Sequence, residues 1–268
     1  QTDAVRAADF AYFDAPTPIG LAHRGGAKLA DNLHLENSLA AFRRAVDLGY
    51  RYLETDVHAT SDGVLLAFHD AVLDRVTDMA GRIADLPWSV VRSARINGTE
   101  PIPLLSDLLE ELPTARLNID VKAPGAIAPL AEVVARHGAV DRVCVGSFSD
   151  RRLRAVRRLL GPGLATSAGP AEVAALRFAP GRVAQWLRSP AAALQVPTAH
   201  VVGGRTVELV TPELVERAHA VGKHVHVWTV DDAHEMHRLL DLGVDGIVSD
   251  RIDTLAEVLA DRGVPLSG

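Results

Sequence analysis

Short apolar runs alternate with helix-patterned segments along nearly the whole chain. Candidate strands fall at residues 19–22, 52–57, 117–121, 142–145, 164–167, 193–196, 224–229 and 245–249. Helical periodicity fills the gaps at residues 38–48, 105–112, 126–137, 150–160, 171–179, 212–221, 232–242 and 252–260. Ser38 is placed to cap the first helix and Gly49 to stop it. Pro180 disfavours helical geometry at the residue before it, and a stretch around Trp186 leads to the sixth strand. Strand, helix, strand in succession implies parallel pairing through crossovers. Eight such units in 268 residues favour a closed (β/α)8 barrel over an open sheet. The interruption follows the second strand. Residues 64–68 read as a hairpin-like extension after "SDG", and residues 70–103, punctuated by Gly81, Pro87, Gly98 and Pro101, read as an irregular insertion. No linker divides residues 1–268, so one domain is expected.

Composition narrows the class. Hydrophobic residues make up 48%, enough for a sizeable core, yet the chain holds no apolar run long enough for a transmembrane helix. Stable membrane insertion is therefore not expected. A net charge of −6 argues against nucleic-acid binding, although a small anionic substrate is still compatible with it. Cys144 is the single cysteine and cannot form an internal disulfide. A cytoplasmic location is the simpler expectation. A secreted protein would require a leader already removed before Gln1. Oligomeric state is not legible.

In such a barrel the active site lies at the C-terminal strand ends, and here those ends are polar. The first carries His23-Arg24, the second Glu54-Thr55-Asp56, the third Asn118 to Lys122, and the seventh His224 to Trp228. Residues i and i+2 share a strand face, so Glu54 and Asp56 point the same way, roughly 6–7 Å apart at Cα. Buried carboxylates need a partner. With Asp120 from the next strand they could enclose one hard divalent cation, Mg²⁺ or Ca²⁺. The competing reading makes them barrel-end salt bridges to Arg24 and Lys122. His23 and His69 bracket the cluster and suit proton transfer near neutral pH. Arg24 and Lys122 could neutralise an anion.

The stretch "GLAHRGG…ENSLAAFRRAVDLGYRYLETDVHATSDGVLLAFHD" resembles the glycerophosphodiester phosphodiesterases. Their pattern is matched by His23-Arg24-Gly25, Glu36-Asn37-Ser38, Glu54-Thr55-Asp56 and His69-Asp70. "LNIDVK", "HVWTVDD" and "GVDGIVSDRID" resemble the family's third, seventh and eighth strands. The resemblance implies a TIM barrel that cleaves glycerophosphodiesters to glycerol 3-phosphate and an alcohol. It carries the metal ligands onto Glu54, Asp56 and Asp120, the acid–base pair onto His23 and His69, and the phosphate-contacting arginine onto Arg24. His23 is assigned as base and His69 as acid. Three departures stand out. Leu35 replaces a proline after the longer "KLADNLH" loop, Asp120 replaces a glutamate, and Asp231 replaces an asparagine.

Further expectations concern the surroundings. Glu36 would bind glycerol hydroxyls, ligate the metal or cap the helix. Trp228 would pack on glycerol carbons or fill the barrel mouth. Gly25-Gly26 would let the backbone approach substrate, and the insertion would shape the alcohol side of the pocket. A lipid-acting relative, such as a lysophospholipase D or a phosphatidylinositol phospholipase C, would show an apolar rim near residues 70–103. A glycosidase does not explain the histidines, and a non-catalytic binding module should lack one of the ligands. "HEMH" at 234–237 has the wrong spacing for a zinc helix. "RRLRAVRR" at 151–158 reads as a helix with Leu153, Val156 and Leu160 inward and its arginines in water.

Overall fold

In a computed structural model of the chain, described for residues 5–179 and 189–266, the eight barrel strands form. They are β1 (Ile19–His23), β2 (Tyr52–Ala59), β3 (Arg116–Val121), β4 (Val143–Gly146), β5 (Ala165–Thr166), β6 (Ala193–Pro197), β7 (His224–Trp228) and β8 (Gly246–Ser249). All barrel pairings are parallel, in the order β5-β4-β3-β2-β1-β8-β7-β6. The remaining seam is nearly closed. Ser167 bridges Ala193, the Ala168 N–H donates to Ala193 O, and the Ala192 N–H donates to Thr166 O. The fifth strand is shorter than expected, and the Ser167 N–H after it still donates to Val145 O of β4 while Ser167 bridges Ala193.

The crossover helices are α1 (Leu39–Asp47), α2 (Leu105–Glu111), α3 (Ile127–Arg136), α4 (Asp150–Leu160), α5 (Pro170–Phe178), α6 (Pro212–Ala220), α7 (Ala233–Asp241) and α8 (Ile252–Asp261). Ser38 caps α1 as expected, its Oγ accepting from the Ala41 N–H at 3.1 Å. Helix α4 buries Leu153 and Val156. The all-solvent reading of its arginines needs correction, because two fold back on the barrel. Arg152 donates to Ser147 Oγ and Lys122 O, and Arg157 to Thr166 Oγ1 and Ser167 O. The segment around Trp186 lies outside the described residues. Among the described residues no helix is long and apolar enough to cross a membrane.

The insertion is ordered, not irregular. Leu65–Ala67 pairs antiparallel with β2, opposite Val57 to Ala59. Beyond it, a short helix at Trp88–Val91 and a two-residue ladder between Arg95–Ile96 and Glu100–Pro101 enclose a satellite core. That core buries Leu66, Phe68, Leu73, Ile83, Val91, Ala94, Ile96 and Ile102, with Leu35 and Trp88 packed against it. Full burial of one such side chain contributes about 1.5–3 kcal/mol, which is why a segment rich in Gly and Pro still holds one conformation.

Candidate active site

Strand register assembles the site. His23 is the partner of Glu54 across β1 and β2, and Asp56 is the partner of Asp120 across β2 and β3. Four of the expected residues therefore meet at one end of three adjacent strands. Arg24 follows β1 with φ near +50°, a left-handed conformation uncommon outside glycine. Its N–H donates to Glu54 O, and its O accepts from the Asn37 N–H. These bonds fix the turn that aims its guanidinium at Asp56, 3.2 Å away, and Glu36, 3.1 Å away. Gly25 and Gly26 follow with φ near +85°. A Cβ would lie 2.9 Å from Ala41 Cβ at the first and 2.5 Å from Ile252 Cδ1 at the second. Neither glycine lines the cavity. The sequence-based expectation that they admit substrate is corrected: they let the chain turn against α1 and α8.

Each histidine is held by an aspartate. His23 Nδ1 donates to Asp250 Oδ1 at 2.7 Å, which leaves its Nε2 3.7 Å from Glu54 Oε2. His69 Nδ1 donates to Asp70 Oδ1 at 2.6 Å. The His58 ring Nε2–H donates to His69 O at 3.0 Å, and burial lowers the His58 pKa. Burial opposes charge on His23, but the Glu54 carboxylate and the Asp250 bond outweigh it and raise its pKa. Burial also opposes charge on Asp70. There Arg75 and His69 prevail and hold the carboxyl at about 2.

Asp250 has its own support. Asp231 Oδ1 accepts from Ser249 Oγ at 3.0 Å and from the Asp250 N–H at 2.9 Å, while its Oδ2 takes Lys28 Nζ at 2.6 Å. Lys28 reaches on to Asp250 at 3.8 Å. Asp231 thus fixes the turn behind His23, and its charge pairs with a lysine from the lengthened loop. Asn37 Nδ2 donates to Asp56 Oδ2 at 3.3 Å, and Thr55 Oγ1 donates to Asn37 Oδ1 at 2.8 Å. Asp250, Asp70, Asn37 and Arg75 are the site residues that sequence reasoning left without a role. The first three stand inside quoted motifs. Arg75 carries no signal beyond its place five residues after Asp70.

The carboxylates are unevenly compensated. Lys122 Nζ lies 2.8 Å from Asp56 Oδ1 and 2.7 Å from Asp120 Oδ2. Burial would raise the Asp56 pKa, but Lys122 and Arg24 hold it down. Burial and the Asp56 charge push Glu54 up to about 7. Burial also raises Asp120 despite Lys122, and Asp120 Oδ1 is buried without a hydrogen-bond partner. Among the described residues, no set of three or more Asp, Glu, His or Cys side chains forms a finished metal cage. The donor chemistry nonetheless fits a hard cation. All three groups offer oxygen, one acceptor is orphaned, and two carboxyls are short of positive charge.

A cavity of about 550 Å³ opens over these residues. His23, Arg24, Glu54, Asp56, His69, Asp120, Lys122 and Trp228 all line it. Glu36 does not, because its carboxylate is taken up by Arg24 and Arg75. Trp228 meets Phe148 edge-on at 5.5 Å, and Lys122 Nζ sits 5.8 Å from the Phe148 ring centre. The wall continues through Val173, Phe178, Pro197 and Leu209, and Phe148 is 61% exposed. No residue from 70–103 lines the cavity. The insertion does not form the alcohol wall, and the apolar rim lies on the β4–β6 side instead.

The sequence matches the family described as "Glycerophosphoryl diester phosphodiesterase family" over residues 23–254. It is 43% identical to a probable glycerophosphodiester phosphodiesterase 2 of Mycobacterium tuberculosis, over 91% of this chain and 92% of that protein. It is 27% identical to a lysophospholipase D of Rattus norvegicus, over 89% and 85% respectively. A solved Oleispira antarctica phosphodiesterase, in complex with the product sn-glycerol-3-phosphate, is similar with a TM-score of 0.76 and 25% identity. It covers 91% of this chain and 97% of that one.

Proposed function

Because the chain belongs to the glycerophosphoryl diester phosphodiesterase family, we propose that it hydrolyses glycerophosphodiesters to glycerol 3-phosphate and an alcohol. The observation that carries this reading is the pairing of two aspartate-backed histidines, His23 and His69, in one cavity with Arg24 and Lys122. An Nδ1–H donated to a carboxylate fixes the tautomer, so the Nε2 of each ring is the atom that exchanges a proton. His23 takes a proton from the nucleophile, either water or the neighbouring glycerol hydroxyl whose cyclic phosphate water then opens, and His69 gives one to the departing alkoxide. Arg24 and Lys122 hold the phosphate oxygens. Lys122 must then release Asp56 and Asp120. Glu54, Asp56 and Asp120 would hold one Ca²⁺ or Mg²⁺, which when bound neutralises charge on a non-bridging oxygen. Trp228 packs against the carbon skeleton of the substrate.

A second reading is favoured by the apolar wall from Phe148 to Phe178. A phosphodiester bearing one hydrocarbon chain, as in a lysophospholipid, would bury that chain there. Assaying His69→Ala with glycerophosphocholine tests the primary reading. Turnover should fall by about a hundredfold or more with the fold retained, and wild-type kcat would refute the role of His69.

A further inference from the structure

We infer that Arg75, carried by the insertion, is a positioning residue for the proton-donating histidine. Its guanidinium forks two carboxylates. Nε and Nη2 reach Asp70 at 2.6 and 3.3 Å, and Nη2 and Nη1 reach Glu36 at 2.6 and 2.9 Å. Asp70 in turn holds His69 Nδ1 at 2.6 Å, and Glu36 holds Arg24 at 3.1 Å. One side chain thereby ties the backing of His69 to the phosphate-facing arginine. An ordinary surface pair looks different. Arg82 and Asp85 stand 3.9 Å apart with side chains 62% and 74% exposed, whereas Arg75, itself 48% exposed, pairs with Asp70 and Glu36 side chains that are 20% and 16% exposed.

The platform behind Arg75 is buried. Leu73, two residues away, is fully buried in the satellite core. Leu35, next to Glu36, packs against the same core. Leu35 therefore adds an apolar anchor to the loop that carries Glu36. This also gives the insertion a task, since no residue of 70–103 reaches the cavity itself. Arg75 makes its four bonds from three nitrogens held in one plane, a pattern that the single ammonium of a lysine reproduces poorly.

The inference rests on the assignment of His69 as the acid, and the two can be tested apart. The experiment compares wild type, Arg75→Met, Arg75→Lys and His69→Ala on two substrates. Glycerophosphocholine has a leaving alkoxide that needs a proton, and glycerophospho-4-nitrophenol releases a phenolate that does not. Arg75→Met should lose about tenfold to a hundredfold in kcat on the first substrate, with less than about a threefold loss on the second and little change in KM. Arg75→Lys should follow Arg75→Met. His69→Ala should show the same selectivity, with a larger loss. Thermal unfolding midpoints close to wild type would show that the fold survives. If His69→Ala is selective while Arg75→Met is either equally impaired on both substrates or unimpaired, the positioning role is overturned alone. If His69→Ala loses equally on both, the acid assignment fails and the inference falls with it.

Discussion

Asp56 and Asp120 face each other across β2 and β3, and the Lys122 ammonium lies between their carboxylates, 2.8 and 2.7 Å away. One lysine thus compensates two largely buried acids at the point where a divalent cation is proposed to bind. The arrangement ties the stability of the barrel mouth to the charge available there.

Lys122→Met should accordingly destabilise metal-free protein by roughly 3 kcal/mol, because a buried charge loses its partner. Saturating Ca²⁺ or Mg²⁺ should recover most of that loss. Urea denaturation in EDTA and in each metal reads both effects. Equal destabilisation with and without metal would mean that the ion does not compensate these carboxylates.

The pH dependence follows from Glu54. Its folded pKa, about 7, lies above the ordinary 4.5. A folded state that holds a proton more tightly than the unfolded one is stabilised by it below pH 4.5. That contribution is lost as pH rises toward 7. Metal-free protein should lose stability across this window. A divalent cation competes with the proton, so its affinity should rise over the same range. Calorimetric titration at pH 5.5 and pH 8 checks the sign, and tighter binding at pH 5.5 would contradict it.

Asp250→Asn should leave the His23 ring in place but remove the charge that fixes its tautomer. The expected result is a loss of about a hundredfold or more in kcat with KM nearly unchanged. Asp231→Asn keeps the acceptor for Ser249 and loses the Lys28 pair, so a milder loss is expected. Steady-state kinetics on glycerophosphocholine separate the two.

The barrel was legible because parallel strands buried on both faces write themselves as apolar runs between helical repeats. Polar strand ends marked the site for the same reason, since Glu54 and Asp56 interrupt a strand whose every residue is buried. Side-chain pairing over long sequence distances was not legible. Asp250 reaches His23 across 227 positions, and Arg75 reaches Glu36 across 39. The ordered insertion was misread because its apolar residues, from Leu66 to Ile102, follow no single period. They pack from several short turns instead of one helix or strand. Phe148 and Leu209 come from two separate loops and Val173 from helix α5, so no sequence window shows the wall they build.

The most direct test is glycerol 3-phosphate release from glycerophosphocholine by EDTA-treated protein, before and after separate addition of Ca²⁺ and Mg²⁺. The proposed chemistry predicts negligible release without metal, recovery with one of the two ions, and no recovery for His23→Ala or His69→Ala. Undiminished release in EDTA, or full recovery in either histidine variant, would contradict it.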